Sequence, residues 1–258
     1  LPLSFAEYRG ARAAFTDDAD DTELLNRYLS LGGMPYASLL PAEDVSEYLD
    51  GVLNTILVKD VATRHPRISM PVLRALLAFL ADNVGNRFSL KTVADTLTAN
   101  GSKVSPTTVS EYLNALMECY LVFKADPYDA KGRRLLQQGG KYYLGDLGFR
   151  HLLLGRDGSD LGHRVENVVY LELLRRYHSV RVGRVGDLEI DFVAEREGRP
   201  HYYQVALSVL DEATLRRELR PLELLGDAYP KTLLTLDRIG ATDHNGIEQR
   251  SLVDWLLK

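Results

Sequence analysis

Seven polar side chains in the middle of the sequence could bind DNA. Four of them lie on one predicted helix and expose hydroxyl or amide groups: Thr107, Thr108, Ser110 and Asn114. The other three are cations in a turn-rich segment: Lys131, Arg133 and Arg134. Hydroxyls and amides bond phosphates or base edges, and the cations would contact phosphates. Because no arginine lies on that helix for bidentate contact with guanine, we predict salt-sensitive DNA binding with little sequence preference.

The elements that must position these residues are three helices followed by two strands. The first helix covers 72–84, the second begins after Ser89 and ends at Asn100-Gly101, and the third begins at Ser105-Pro106. Serine before a helix and proline at its first position are typical start signals. Two β-rich runs, 120–124 and 141–144, enclose the basic segment. This layout is typical of a winged helix-turn-helix, which we assign to residues 71–145.

The charge distribution fits a local DNA contact. The whole chain carries a net charge of −5, which argues against a surface that is basic throughout. Residues 86–141 carry eight cations and five anions, a net charge of +3. The alternative is that this module only docks protein domains, since winged helices serve both roles.

The last part of the chain alternates between helix and strand. A helix at 164–177 precedes three short strands at 180–185, 189–195 and 201–208. A helix at 212–225 and an apolar strand at 232–236 follow. Glycine-containing turns between the three strands predict hairpins. The expected fold class is therefore α+β with several domains, ending in an αβββαβ domain over 146–258.

The αβββαβ order resembles the core of restriction-endonuclease-like proteins, whose mark is the PD-(D/E)xK motif. The resemblance implies phosphodiester cleavage by a water that bound Mg²⁺ activates. It places Asp191 in the motif, Gln204 at the second acid 13 residues later, and Glu166 at a further metal-binding position. These are the candidate catalytic residues, and Glu166 and Asp191 are the candidate Mg²⁺ ligands.

Two departures from that motif weaken the expected activity. Gln204 is a neutral oxygen donor, and Ala206 stands where the family has its lysine. A cation could come instead from the following helix or strand, from Arg216, Arg217, Arg220 or Lys231. Arginine stays protonated and is a poor base. We therefore expect a degenerate site, and the alternative is that Asp191 and Glu166 only satisfy local hydrogen bonds.

The chain also resembles the C-terminal region of a prokaryotic AAA-type ATPase family. The matching stretches are 1–8 (LPLSFAEY), 28–35 (YLSLGGMP), 54–61 (NTILVKDV), 142–148 (YYLGDLG) and 189–192 (EIDF). The resemblance implies that residues 1–70 form a helical segment that follows an ATPase domain, which would be a partner. No G-x-x-x-x-G-K-[ST] motif occurs, so ATP is expected only in that missing domain. Asp146 is expected to be a turn or cap residue.

Composition limits the remaining possibilities. The chain has one cysteine, no apolar run of about 18 residues and no signal peptide, so we expect a cytoplasmic protein without a membrane partner. Three function classes stay open. They are a DNA-binding, nuclease-like region of an ATPase, a protein-interaction scaffold that positions the ATPase, and an active metal-dependent endonuclease.

Overall fold

The computed structural model describes residues 1–14, 20–136, 140–155, 160–238 and 240–258. The fold is α+β, with ten α-helices and a mixed sheet of eight strands among these residues, which confirms the predicted class. The chain divides into two compact units. Unit 1 comprises Leu1–Lys124 and Lys141–Gly158, and unit 2 comprises Ala125–Gly140 and Ser159–Lys258.

Unit 1 begins with a helical region, as the sequence predicts for residues 1–70. Helix α1 (Phe5–Ala13) begins at a capping box formed by Ser4 and Glu7. Helix α2 (Asp21–Leu31) ends at Gly32, whose φ of +80° favours glycine. A 3-10 turn (Ala37–Leu39), helix α3 (Val45–Thr55) and a π-helical stretch (Ile56–Ala62) follow.

The middle of unit 1 has the three predicted helices and the two-stranded ribbon. They are α4 (Met70–Asp82), α5 (Leu90–Ala99), α6 (Pro106–Glu118), β1 (Val122–Ala125) and β4 (Lys141–Leu144). The predicted caps are confirmed, because Ser89 Oγ accepts a hydrogen bond from the Thr92 amide and Ser105 Oγ from the Thr108 amide. Strand β4 pairs with β1, and its Lys141 also forms a short bridge with Arg87, between α4 and α5.

Helix α7 (Leu147–Leu154) belongs to unit 1, although the sequence suggested that the C-terminal domain begins at residue 146. It contacts α2, α3 and α4, and its Leu147 and Phe149 are buried. The physical reason is the apolar face of α7, which is covered by the helices that precede it in the chain.

Unit 2 has the predicted order αβββαβ. Its elements are α8 (Leu161–Arg176), β5 (Ser179–Val185), β6 (Leu188–Arg196), β7 (Arg199–Ala206), α9 (Glu212–Glu223) and β8 (Lys231–Thr235). Strands β5, β6 and β7 form an antiparallel meander, and β8 pairs with β7 in parallel. Strand β10 (Ile247–Ser251) then pairs with β8 in parallel and with β9 (Thr242–His244), and helix α10 (Leu252–Leu256) ends the unit.

Apolar side chains of α9 cover one face of the unit 2 sheet. Leu219 and Leu222 belong to a buried cluster with Ile190, Val193 and Tyr202 of the strands. The neighbouring Tyr203 packs on Trp255 of α10, with ring centroids 5.7 Å apart. Because successive strand residues point to opposite faces, α10 lies on the other side of the sheet.

The segment predicted as a wing differs from the prediction. Strands β2 (Pro127–Asp129) and β3 (Arg134–Leu135) extend the unit 2 sheet, whose strand order is β3-β2-β5-β6-β7-β8-β10-β9. Strand β2 pairs in parallel with β5, and Ala130 and Tyr128 pack in the core of unit 2. These apolar contacts explain why the segment belongs to unit 2. Strands β1 and β4, which flank it in sequence, pair with each other in unit 1.

Candidate functional site

The exposed surface of α6 carries the predicted DNA-binding side chains of unit 1. Thr107 and Asn114 are exposed and Ser110 is half-buried. Thr108 is half-buried, and its Oγ1 lies 2.9 Å from Ser105 Oγ at the cap of the helix. Thr107, Ser110 and Asn114 therefore remain available to a ligand, whereas the Thr108 hydroxyl serves the helix start.

A basic crevice that the sequence analysis missed lies beside α6. It has a volume of about 310 Å³, and its walls include Arg64, His65 and Arg67 on one side and Glu111 and Tyr112 of α6 on the other. Arg64 and Arg67 are exposed, and neither forms a hydrogen bond or ion pair with any residue that the structure describes.

Two contacts hold this basic segment against α6. The Tyr112 hydroxyl accepts a hydrogen bond of 2.7 Å from the Ser69 amide, and His65 Nε2 lies 3.0 Å from Glu118 Oε2. The run Arg64-His65-Pro66-Arg67 is visible in the sequence as a basic segment. Because about 40 residues separate it from α6, the sequence gives no reason to expect that the run and the helix are in contact. The combined region, Arg64, Arg67, Thr107, Ser110 and Asn114, is named the α6 surface below.

The three predicted wing cations are not part of unit 1. Lys131, Arg133 and Arg134 are exposed and lie around β3 in unit 2. The Arg133 guanidinium stacks on the Tyr229 ring, 5.0 Å from its centroid, and Arg134 Nε lies 3.5 Å from Asp129 Oδ2. The structure therefore assigns the predicted DNA-binding residues to two different units.

Asp191 and Gln204 lie on the adjacent strands β6 and β7, as predicted. Asp191 Oδ2 accepts a hydrogen bond of 2.8 Å from the Val205 amide, and the Asp191 amide lies 3.4 Å from Gln204 Oε1. The buried Gln204 also donates from Nε2 to Glu218 Oε2 at 2.9 Å. Both ends of the Gln204 amide are therefore engaged within the protein.

Glu218 on α9 is the residue of this network that the sequence analysis missed. Its other oxygen, Oε1, accepts from Arg217 Nε at 3.0 Å and Nη2 at 2.8 Å. Asp191, Gln204 and Glu218 thus form one hydrogen-bonded network of two carboxylates and one amide, the group types that bind hard cations. In the sequence, Glu218 is only a glutamate on the helix that follows the motif. Its position alone does not indicate that it contacts Gln204.

The remaining predicted groups of the nuclease-like site are differently engaged. Glu166 is buried on α8, and Ala206 packs at the edge of the α9 core. Lys231 donates to Asp227 Oδ1 at 3.2 Å, and Arg216 pairs with Glu212. Among the described residues, no group of three or more His, Cys, Asp or Glu side chains could hold a metal ion.

Asp146 is confirmed as a helix cap, and it joins two of the sequence stretches singled out above. Its Oδ1 accepts from the Gly148 amide at 2.7 Å, and its Oδ2 accepts from the Gly33 amide at 2.8 Å. Burial raises the pKa of Asp146 to about 6, although these backbone hydrogen bonds oppose the increase. A Cβ on Gly32 would lie 1.8 Å from Asp146 Oδ1, so glycine is required there.

His201 of unit 2 lies in a half-buried aromatic cluster that the sequence analysis did not identify. Its Nδ1 is 3.1 Å from the Tyr177 hydroxyl and 3.2 Å from the Tyr203 hydroxyl, and its Nε2 is 2.9 Å from Thr232 Oγ1. Burial lowers the pKa of His201 to about 4. Its hydrogen-bond partners are uncharged and the nearby Arg250 disfavours a second positive charge, so the neutral imidazole is the form that this cluster stabilises.

None of the helices in the described ranges is long and apolar enough to cross a membrane.

The chain is similar to proteins from distant prokaryotes. It is 34% identical over 257 residues to an uncharacterized protein of Haemophilus influenzae, a match that covers 100% of this chain and 64% of the relative. An uncharacterized protein of Methanocaldococcus jannaschii is 27% identical over 239 residues, covering 86% of this chain and 52% of the relative. An uncharacterized protein of Mycobacterium tuberculosis is 29% identical over 185 residues, covering 67% of this chain and 41% of the relative. The chain thus spans less than two thirds of the length of these relatives.

A crystal structure of a Vibrio cholerae protein is similar over 74% of this chain and 55% of that protein, with 14% identity and a TM-score of 0.27. A TM-score of this size is too low to assign a shared fold.

The family model described as a domain of unknown function (DUF8612) matches residues 22–160, which cover most of unit 1 and the strands β2 and β3. The match covers more than half of the chain, and the chain therefore belongs to this family.

Proposed function

We propose that this chain is a DNA-binding region of a larger prokaryotic protein, and that the α6 surface contacts duplex DNA. The observation that carries the proposal is the position of Arg64 and Arg67, two exposed arginines without partners among the described residues, beside the polar face of α6. Guanidinium groups next to exposed hydroxyls and an amide are the donors that DNA phosphates require.

The arrangement of α4, α5, α6, β1 and β4 supports a winged helix-turn-helix reading of unit 1. The isolated antiparallel bridge between Arg87 and Lys141 ties the segment between α4 and α5 to the two-stranded ribbon. In helix-turn-helix proteins the second helix of the motif enters the major groove, and here that helix is α6. Thr107 and Ser110 lie in its first half, where base edges are usually contacted.

The αβββαβ order of unit 2 supports a restriction-endonuclease-like fold with a degenerate site. Asp191 and Glu218 provide carboxylates, but Ala206 provides no lysine and Gln204 replaces an acid. Under this proposal unit 2 does not cleave DNA, and Mg²⁺ binds only weakly near Asp191. The parent protein would be a cytoplasmic AAA-type ATPase that binds ATP in a domain outside this chain, as the sequence resemblance implies.

The proposal is tested by fluorescence anisotropy of labelled duplex DNA over a salt series. The test variant is Arg64→Gln with Arg67→Gln, and the charge-matched control is Arg199→Gln with Arg216→Gln, two exposed arginines of unit 2. We expect the test variant to lose at least about tenfold in affinity at low salt. Its plot of log affinity against log salt should be shallower by about two, because two phosphate contacts are lost.

Two results would contradict the proposal. Equal binding by the test and control variants would show that the α6 surface is not the DNA contact. Absence of wild-type binding at low salt would show that DNA is not the ligand. Mg²⁺ is included in parallel tubes. Cleavage that Asp191→Ala abolishes would show an active nuclease in place of the degenerate site.

A further inference from the structure

Unit 2 contains a basic crevice that no part of the DNA-binding proposal uses. It has a volume of about 490 Å³ and is lined by Arg175, Arg176, Tyr177, His178 and Arg196. These residues come from the end of α8, the connection to β5 and the end of β6. The crevice therefore collects three guanidinium groups from two elements that are distant in sequence.

None of the described residues that line the crevice is an acid. Glu172 lies 2.7 Å from Arg176 Nε and 3.4 Å from Arg175 Nε, so one carboxylate serves two arginines. Glu195, next to Arg196 on β6, pairs with Arg181 at 3.0 Å. Arg196 is exposed and makes no hydrogen bond or ion pair with a described residue. The three arginines and Glu172 together carry a net charge of +2.

Arg176 is fixed in place before any ligand arrives. Its Nε donates to Glu172, its Nη2 donates to the Trp255 carbonyl oxygen at 2.9 Å, and its guanidinium stacks 4.2 Å from the centre of the Trp255 ring. Holding a guanidinium on an aromatic ring lowers the conformational entropy that binding would otherwise cost. Arg176 Nη1 has no partner among the described residues and remains available.

We propose that this crevice binds a phosphate group. A net charge of +2 matches a phosphate monoester, and planar guanidinium groups bind phosphate oxygens through paired hydrogen bonds. The Trp255 ring is stacked against Arg176, and the Tyr177 ring packs edge-on against His201 and Tyr203. Three of the five lining residues are arginines, so guanidinium groups dominate what the crevice offers to a ligand. The crevice thus recognises the phosphate rather than the group attached to it.

The sole tryptophan of the chain reports on this site directly. Because Trp255 contacts Arg176, a phosphate on Arg176 should change the tryptophan emission. The full chain is titrated with inorganic phosphate, with chloride at equal ionic strength as the blank, and the melting temperature is recorded in the same samples. We expect a saturable change in emission and a rise in melting temperature with phosphate only.

The decisive variant is Arg196→Gln, and its matched control is Arg199→Gln. Arg199 lies opposite Arg196 in the β6–β7 hairpin and is also exposed, but it does not line the crevice. Loss of a charge-assisted hydrogen bond should weaken phosphate binding roughly tenfold or more in Arg196→Gln and leave Arg199→Gln unchanged. Identical titrations for the two variants, or no difference between phosphate and chloride in either readout, would overturn the proposal.

Two further ligands distinguish the source of the phosphate. A short oligothymidylate with a 5′-phosphate and the same strand without one are titrated against the full chain. A response to the phosphorylated strand alone assigns the crevice to terminal or free phosphate monoesters, and an equal response to both assigns it to backbone diesters. Arg64→Gln with Arg67→Gln should keep the phosphate response, so this proposal and the α6 proposal can fail separately.

Discussion

Unit 1 and unit 2 each hold a titratable side chain largely away from solvent, and this desolvation shifts the two pKa values in opposite directions. In unit 1, Asp146 is satisfied by backbone amides, and its pKa rises to about 6. In unit 2, His201 is satisfied by hydroxyl groups, and its pKa falls to about 4. The same desolvation favours the neutral form of both, which for an acid is the protonated form and for a base the deprotonated form.

The comparison predicts that acid affects the two units differently. Between about pH 4 and pH 6, folded Asp146 keeps a proton that the unfolded chain has lost, so the stability of unit 1 rises as the pH falls. Between about pH 6.5 and pH 4, the unfolded chain protonates His201 while the folded form stays neutral, so unit 2 loses stability as the pH falls. Peptide-resolved hydrogen exchange can follow the two units in one sample.

The largest expected effect comes from breaking the Asp146 contacts with Gly32→Ala. The added methyl group would collide with Asp146 Oδ1 at a residue whose φ is +80°. We expect the free energy of unfolding of unit 1 to fall by about 4 kcal/mol, measured by urea denaturation. The control is Gly51→Ala in α3, where the methyl group meets no atom within 4 Å and should raise helix stability by about 0.5–1 kcal/mol. Equal stability of the two variants would show that the Asp146 contacts are dispensable.

The second prediction concerns Asp146→Asn, which replaces the titrating carboxyl group by an amide of the same shape. Wild-type unit 1 should lose about 3 kcal/mol of stability as the pH rises from about 3 to about 7, from a pKa shift of about two. Asp146→Asn should lose this pH dependence, because the amide does not titrate, although one of its two backbone hydrogen bonds is also lost. The readout is the slope of stability against pH, and a parallel slope in the two proteins would be inconsistent with a raised pKa.

The third prediction treats His201 in the same way. From pH 6.5 to pH 4, wild-type unit 2 should lose about 2.5 kcal/mol, and His201→Phe should lose this pH dependence. Phenylalanine keeps a ring against Tyr203, whose centroid lies 4.2 Å from that of His201. Exchange rates of β7 and β8 peptides measure the effect. If these rates respond to acid equally in wild type and variant, another group controls the acid sensitivity of unit 2.

The smallest effect is expected at the nuclease-like site, with Gln204→Glu. A third carboxylate beside Asp191 and Glu218 should lower the free energy of unfolding by about 1 kcal/mol without a cation, through like-charge repulsion. Mn²⁺ should restore it, because the three acids would form a ligand set for a hard cation. The control is Gln249→Glu, another buried glutamine of the same sheet. Equal protection of both variants by Mn²⁺ in thermal melts would exclude a specific site.

The local features of the fold could be predicted from the sequence. Ser89 and Ser105 cap their helices as predicted, because a serine side chain satisfies amides only three residues away. The β6–β7 hairpin brings Asp191 next to Gln204, because a short turn fixes the register of its strands. Asp146 was interpreted correctly as a cap for the same local reason.

The contacts between distant segments could not be predicted. Arg64 and Arg67 join α6, and Glu218 joins Gln204, through packing that no local pattern encodes. The segment around Tyr128 has the composition of an exposed basic loop, but its few apolar residues pack on β5 in unit 2. In the sequence, the turn residues and cations of this segment are more prominent than its few apolar residues. The wing prediction therefore assigned Lys131, Arg133 and Arg134 to unit 1, whereas they lie in unit 2.

The excursion of residues 125–140 into unit 2 has a consequence for synthesis on the ribosome. Pro127 pairs with Val182, so β2 emerges from the ribosome about 55 residues before its partner. At the usual rates of translation this interval lasts a few seconds, during which two short strands have free edges. Unit 1 is also incomplete at this stage, because its β4 and α7 follow residues 125–140 in the sequence. Neither unit can be completed from one continuous stretch of nascent chain, and a truncation between β3 and β4 would leave both unfinished.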